Sequence, residues 1–185
     1  KHLRNPQLMA TFAVGFGVLF NFIAVFTFVS FHLAAPPFNL SPAALGMIFT
    51  VYLAGTIVAP MVGRGVGRFG RRHFVTMVIA VWMGGVLLTL VPWLPAVIAG
   101  LTLAAAAGML CQASSQSYVA TSTRTGISSA IGLYVTAFYV GGSVGALLPG
   151  LAWDIGKWPG TVAMVIAMQT IMMLIVWLAW SRDRR

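Results

Sequence analysis

Acidic side chains are nearly absent from this sequence of 185 residues, which contains two aspartates, Asp154 and Asp183, and no glutamate. Charged residues of both signs make up 7% of the chain and hydrophobic residues 59%, whereas a soluble globular domain carries about 25% charged residues. This scarcity of charge argues against an ordinary soluble domain and indicates an all-α protein embedded in a membrane.

Groups that could carry chemistry are also scarce. The single cysteine, Cys111, excludes an internal disulfide and a cysteine-based metal site. The three histidines, His2, His32 and His73, lie at the ends of apolar runs or in loops on alternating sides, so they cannot converge on a metal ion. No Ser-His-Asp set can form within the apolar runs. We therefore expect no metal, no cofactor and no enzymatic activity.

The net charge of +9 does not indicate nucleic-acid binding, because the cations are clustered between apolar runs and form no basic face interleaved with aromatic residues. The segment 65–70 spells the pattern G-x-G-x-x-G of dinucleotide-binding proteins. That pattern requires a short preceding strand, and here about twenty apolar residues precede it, which is the length of a membrane span.

Long apolar runs dominate the rest of the sequence. Each run is long enough to cross roughly 30 Å of hydrocarbon as a helix at about 1.5 Å per residue. We therefore predict one bundle over residues 1–185 with six transmembrane helices, at about 8–31, 42–62, 74–91, 96–118, 127–152 and 161–180. Asn5 followed by Pro6 predicts a capped start for the first helix.

The basic residues predict the orientation of these helices. If six helices alternate, only Lys157 falls on one side, which is a strong positive-inside pattern with both termini in the cytoplasm. The cations on the opposite, cytoplasmic side are Lys1, Arg4, Arg64, Arg68, Arg71, Arg72, Arg124, Arg182, Arg184 and Arg185. Because the chain begins with lysine, we expect it to be a piece of a longer protein or a trimmed product.

Small residues recur every four positions in two of the predicted helices. Gly55, Ala59 and Gly63 in the second helix, and Gly141, Gly145 and Pro149 in the fifth, form such stripes. Small side chains let helix backbones approach closely in lipid, so we predict that these residues pack helices together.

The basic stretch 63–72 reads Gly-x-x-x-Gly-Arg-x-Gly-Arg-Arg between two apolar helices, and we expect it to be a tight cytoplasmic turn. It resembles the loop signature G-x-x-x-D-R-x-G-R-R of the major facilitator superfamily. The matching residues are Gly63, Arg68, Gly70, Arg71 and Arg72, and Gly67 replaces the usual acid. The opening segment 1–6 is similar to the end of that family's central cytoplasmic loop.

The resemblance implies a fold and a function. It implies the C-terminal half of a twelve-helix bacterial inner-membrane exporter of the drug- or sugar-efflux type. Each half has two inverted three-helix repeats, and substrate binds between the halves. The expected partners are then lipids, the N-terminal six-helix half and a small, fairly apolar substrate. A coupling proton would need a carboxylate outside this chain. In the family the loop arginines help to latch the halves together; here they either retain that role or only fix topology and meet anionic headgroups.

Neutral polar residues at depth are the remaining candidates for a substrate cavity. Asn21 either binds substrate or bonds a neighbouring helix, because a buried amide needs a partner. Gln112 and Gln116 share one face of the fourth helix and form either a polar cavity wall or a wet helix end. Tyr52 supplies either an aromatic wall or an interhelical hydrogen bond, and Gln169 is expected to bond the third or fourth helix.

The fifth helix carries the clearest division of faces. Thr136, Tyr139 and Ser143 share a face opposite Gly141 and Gly145, so we predict that the hydroxyl side lines the cavity while the glycine side packs. Two alternatives to a half-transporter are a self-contained six-helix channel and an inactive fragment. An aquaporin-like channel needs two Asn-Pro-Ala motifs, whereas this chain has only an Asn-Pro-Gln near its start.

Overall fold

The computed structural model describes residues 5–122 and 126–180, in which all regular structure is helical. Five continuous helices are long and apolar enough to cross a membrane. They are α1 (Pro6–Ala34), α2 (Pro42–Phe69), α3 (Arg71–Leu88), α4 (Leu94–Ser122) and α5 (Ile127–Ala179). The prediction of an all-helical membrane protein is confirmed. The expected cap is present, since the Asn5 side chain accepts hydrogen bonds from the amides of Gln7 and Leu8 at 3.0 and 3.3 Å.

Helix α5 contains a reversal of the chain. Its 53 residues would extend roughly 80 Å if straight, far more than one bilayer crossing requires. The backbone of Lys157 is not helical (φ 51°, ψ −138°), and an added Cβ on Gly160 would touch the carbonyl oxygen of Ala152. Residues 127–156, the first arm, and residues 158–179, the second arm, therefore fold back on each other. The sequence predicted a loop over 153–159, whereas a single residue breaks the helix.

Both arms pack on α1, in opposite directions. Along the first arm, Gly141 meets the backbone of Phe16 and Gly145 meets that of Phe20, so the first arm runs parallel to α1. On the second arm, Trp158 stacks on His32 with ring centroids 5.3 Å apart. Met172 of that arm packs instead on Gly17, near the middle of α1, so the second arm runs antiparallel.

Helix α4 organises the other side of the bundle. It packs on α2, where an added Cβ on Gly55 would lie 2.7 Å from Met109 Sδ, and on α3, where one on Gly85 would lie 2.8 Å from Gly100 O. The helices differ in how much of their most apolar stretch is buried. The buried share of residues is 72% in α1 and 50% in α4, but 17% in α2 and 28% in α5. Helices α1 and α4 therefore lie at the centre, and α2 and the first arm lie outside.

The basic stretch is not the tight turn that the sequence predicted. Helix α2 continues through Phe69, well beyond the expected end at 62, and α3 begins at Arg71 and ends at Leu88 rather than spanning 74–91. Gly70 alone makes the turn, with φ 75°. One residue in this left-handed region is sufficient to end a helix, and glycine adopts it without a steric cost. Within α2, short 3₁₀ turns at Phe49–Val51 and Ala59–Met61 join three α-helical segments, Pro42–Ile48, Tyr52–Val58 and Val62–Phe69.

Candidate functional site

Asn21 lies inside the bundle. It is fully buried, and its amide nitrogen donates to the carbonyl of Gly17 at 2.7 Å and to the sulfur of Met172 at 3.2 Å. The second contact joins α1 to the second arm. The amide oxygen has no hydrogen-bond partner within residues 5–122 and 126–180. The structure thus places Asn21 in an interhelical contact rather than on an outward face.

Tyr52 belongs to an aromatic group between α1 and α2. Its ring centroid lies 4.4 Å from that of Phe26, 5.9 Å from that of Phe22 and 6.1 Å from that of Phe49. The side chain is half-buried. Aromatic pairs at these separations contribute packing energy beyond the area they bury, so Tyr52 helps to hold α2 against α1.

The two glutamines of α4 differ in exposure. Gln112 is half-buried and Gln116 is exposed, near the end of the helix that also carries Tyr118. The structure keeps them one helical turn apart on the same side of α4.

The first arm of α5 divides its faces as the sequence analysis describes. Gly141 and Gly145 are buried against α1, whereas Thr136, Tyr139 and Ser143 are exposed. The Tyr139 side chain is 64% exposed. The hydroxyl groups of Thr136 and Ser143 form hydrogen bonds within the first arm. Thr136 donates to the carbonyl of Gly132 at 2.9 Å, and Ser143 donates to the carbonyl of Tyr139 at 3.1 Å.

The other predicted packing residues lie at or near helix contacts. Gly55 is buried against α4, Ala59 is half-buried, and Pro149 is buried on the first arm. The prediction was wrong for Gly63, the third member of the α2 stripe: it faces open space, as Gly67 does, since an added Cβ on either would meet no atom within 4 Å.

Arg71 ties the start of α3 to α4. Its guanidinium donates to the carbonyl of Ser114 at 2.5 Å and lies 5.1 Å from the ring centroid of Tyr118. Tyr118 donates in turn to the side-chain oxygen of Gln7 at 2.7 Å and stacks on Trp180 at 5.6 Å. One cation and two aromatic rings therefore join α1, α3, α4 and the end of the second arm.

Arg72 makes the corresponding contact with the second arm. Its guanidinium carbon lies 4.1 Å from the ring centroid of Trp177, and His73 meets the same ring edge-on at 6.1 Å. A cation over the face of tryptophan is the most favourable cation–π arrangement. We call Arg71, Arg72, Tyr118, Trp177 and Trp180 the arginine–aromatic cluster.

The remaining two arginines of the signature region behave differently. Arg64 and Arg68 are exposed on the last turns of α2, and the recorded ring contact of Arg68 is with its neighbour Phe69 at 5.5 Å. The four cations therefore separate into two that hold the bundle together and two that face outward. Lys1, Arg4, Arg124, Arg182, Arg184 and Arg185 lie outside the described residues, as does Asp183.

Further buried polar groups lie within the bundle, and those of Trp158, Thr89 and Tyr134 were not assigned a role from the sequence. The Trp158 indole N–H donates to both the carbonyl and the hydroxyl oxygen of Thr89 at 3.2 Å, which ties the chain reversal to the end of α3. Gln169 does not form the expected bond to the third or fourth helix: it is fully buried, and neither of its amide atoms has a partner in the described part of the chain. The Tyr134 hydroxyl is likewise buried without one. Of these buried polar groups, only Gln169 could have been noticed in the sequence, because it is a polar residue within an apolar run. Across the same described ranges, no three His, Cys, Asp or Glu side chains are grouped so that they could hold a metal.

Comparison with known proteins places this fold. The family model of the Major Facilitator Superfamily matches residues 8–185. The MFS-type transporter YybF of Bacillus subtilis is 30% identical over 179 residues, covering 96% of this chain and 43% of the relative. The inner membrane transport protein YnfM of Escherichia coli is 28% identical over 174 residues, covering 94% and 42%. A Buchnera aphidicola transporter is 27% identical over 165 residues, covering 89% and 40%.

A solved structure shows the same fold. The POT family transporter PepTSo superposes with a TM-score of 0.79 at 14% sequence identity, covering 96% of this chain and 38% of the other. The chain thus spans less than half the length of YybF, YnfM and PepTSo. Apolar helices of membrane-spanning length, the basic junction between α2 and α3, and these similarities agree: the chain belongs to the Major Facilitator Superfamily, a family of membrane transporters rather than of enzymes.

Proposed function

We propose that this chain forms six membrane crossings and is one half, the C-terminal half, of a twelve-helix exporter of small, fairly apolar or drug-like molecules. The reversal at Lys157 supports six crossings, because the two arms of α5 run in opposite directions along α1. Inverted three-helix repeats fit the packing. If one repeat is α1, α2 and α3 and the other is α4 with the two arms, α1 packed on the two arms corresponds to α4 packed on α2 and α3. The proposed mechanism is alternating access, with this half rocking against its partner.

The divided face of the first arm is the observation that carries the proposal. Gly141 and Gly145 fix the arm on α1, while Tyr139 and large apolar side chains such as Leu147, 74% exposed, are left uncovered. An uncovered face that mixes hydroxyls, an aromatic ring and apolar groups suits a partner bundle and a substrate cavity better than lipid alone. We assign Thr136, Tyr139 and Ser143 to the cavity wall, with Gln112 and Gln116 at its cytoplasmic end.

The chemistry of this face narrows the substrate. The wall contributed by this chain is neutral, which favours an uncharged or weakly charged molecule. Asp154, the acidic residue that the structure describes, is exposed near the chain reversal rather than at membrane depth. If transport is coupled to protons, the titrating carboxylate belongs to the other half. The proposed function needs no cofactor.

A transport assay tests this proposal. The chain is expressed alone and together with the rest of its transporter, and uptake of an apolar fluorescent dye is followed in inside-out vesicles. We expect dye accumulation only when both halves are present. Accumulation by the chain alone as a monomer would contradict the proposal, and passive water or solute flow without an energy source would indicate a channel instead.

Orientation has its own test. We place both termini and the arginine–aromatic cluster on the cytoplasmic side of a bacterial inner membrane, from the positive-inside pattern. A cysteine introduced at Lys157, exposed at the chain reversal, should react with an impermeant maleimide from outside intact cells, and one at the exposed Arg68 should not. The reverse labelling pattern would overturn the orientation.

A further inference from the structure

Two grooves on the outer side of α2, α3 and α4 join end to end. The first, about 390 Å³, is lined by Val58, Met61, Arg64, Gly65, Arg68, Phe69, Phe74 and Leu110. The second, about 220 Å³, shares Val58, Phe69, Phe74 and Leu110 with the first and continues between α3 and α4 past Val81 and Leu103. Together they form one apolar trough, which we call the arginine-headed groove because both of its cations are at one end.

The sequence shapes this groove. A Cβ on Gly65 would collide with the Phe74 ring, so the glycine lets that ring lie against α2 and form the floor. Arg64 and Arg68 are one turn apart on the same side of α2, near its end. Their side chains are exposed, unlike those of Arg71 and Arg72, which are half-buried and engaged with aromatic rings.

We propose that the arginine-headed groove binds an anionic phospholipid, with the phosphate between Arg64 and Arg68 and one acyl chain along the apolar trough. Charge complementarity identifies the occupant. Two exposed guanidiniums with no carboxylate among the described residues around them attract a phosphate, and guanidinium matches phosphate oxygens geometrically. Beyond the arginines the lining is apolar, which suits hydrocarbon and not a soluble anion.

A third groove serves as an internal comparison. It has about 420 Å³ between α1 and the two arms, and Met9, Phe16, Ala137, Met168 and Ile171 are among its lining residues, none of which is charged. An acyl chain that enters it has no cation for its headgroup. The structure therefore predicts selectivity for anionic lipid at the arginine-headed groove and none at the third groove.

Photo-crosslinking with lipids tests the assignment. The protein is reconstituted in phosphatidylcholine vesicles that contain a trace of either phosphatidylglycerol or phosphatidylcholine with a diazirine in one acyl chain. Crosslinked peptides are then mapped by mass spectrometry. We expect phosphatidylglycerol to label the stretches 74–81 and 103–110 more strongly than phosphatidylcholine does, and both lipids to label 168–175 equally. Uniform labelling around the bundle, or equal labelling of 74–81 by the two lipids, would overturn the proposal.

Variants locate the headgroup and the chain separately. Each arginine near an anionic lipid contributes about a fivefold preference, so R64Q/R68Q should lower the preference for phosphatidylglycerol about 25-fold, whereas the control K157Q should leave it unchanged. Ala106→Phe places a ring in the second groove, between α3 and α4, and should remove the labelling at 74–81. Ala99→Phe, at an exposed position of the same helix outside the groove, should not remove it. An unchanged preference in R64Q/R68Q would refute the headgroup assignment.

A competition experiment separates a lipid from a soluble anion. Inorganic phosphate in excess should leave labelling by phosphatidylglycerol intact, and full competition would mean that the arginines bind free phosphate and the proposal is wrong. Circular dichroism of each variant establishes that it is folded. If a variant fails to fold, the crosslinking map of the unaltered protein still tests the proposal. The selectivity between the two lipids, and between the arginine-headed groove and the third groove, is measured without any substitution.

Discussion

Replacing Gly141 by alanine should separate α1 from the first arm of α5. The added methyl group would touch the carbonyl oxygen of Phe16 and lie 2.6 Å from its carbonyl carbon. These are backbone atoms, so no rotamer change relieves the overlap and a helix must move. Overpacking of this kind costs about 1–3 kcal/mol.

The same substitution at Gly132 provides a matched control. Gly132 lies on the same arm, but an added Cβ there would meet no atom within 4 Å. Without an overlap, alanine is favoured over glycine in a helix by about 0.5–1 kcal/mol. The two variants should therefore differ by about 1.5–4 kcal/mol, with opposite signs relative to the parent.

Unfolding in a titration of mixed detergent micelles, followed by circular dichroism, measures this difference. Gly145→Ala adds a second check, because its methyl group would lie 2.5 Å from the carbonyl oxygen of Phe20 in the same helix contact. The double variant should cost less than the sum of the single ones, because one shift of α1 relieves both overlaps. Equal midpoints for Gly132→Ala and Gly141→Ala would refute the reasoning.

Three further substitutions probe other parts of the bundle. Arg72→Gln should destabilise by about 0.5–2 kcal/mol by removing the cation 4.1 Å from an indole ring, whereas Arg68→Gln should leave the detergent midpoint unchanged. Trp158→Phe keeps a ring beside α1 but loses the indole N–H donated to Thr89 at the end of α3, and should lower the stability by about 1 kcal/mol. Trp93, 64% exposed in a loop, is the control, and Trp93→Phe should change the stability little in the same titration. Tyr139→Ala should alter substrate preference in the vesicle assay without lowering abundance, and an equal loss of folded protein for Tyr139→Ala and Gly141→Leu would contradict the division of faces.

Patterns within the sequence were sufficient to predict that the chain is built from apolar helices of membrane-spanning length. Apolar length and the near absence of acids indicated membrane-spanning helices, and Asn5 with Pro6 marked the start of α1. The resemblance of residues 63–72 to a family signature identified the superfamily. Each of these signals is local, because it depends on neighbouring residues or on a uniform composition along one run.

The sequence did not reveal how far α2 extends. Glycines at 63, 65 and 67 are compatible with a helix or with a turn; of the four glycines at 63, 65, 67 and 70, only Gly70 adopts a conformation that favours glycine. The partners of the arginines were equally hidden, because Arg71 and the Ser114 carbonyl are 43 residues apart in the sequence. Pairing at that distance depends on how α3 and α4 cross, which no local pattern determines.

Lys157, at the chain reversal, has a backbone conformation and a side-chain contact that bear on the position of the protein in a bilayer. Its backbone (φ 51°, ψ −138°) lies where glycine is favoured, so a lysine there costs about 1–3 kcal/mol of strain. The ammonium group lies 5.9 Å from the Trp153 ring, and tryptophan prefers the headgroup layer. We expect Lys157→Gly to relax the backbone at this corner but to remove the charge that opposes its entry among the acyl chains. We expect the charged lysine, beside Trp153, to keep the tip of the hairpin at the membrane surface and so to set the depth of both arms in the bilayer.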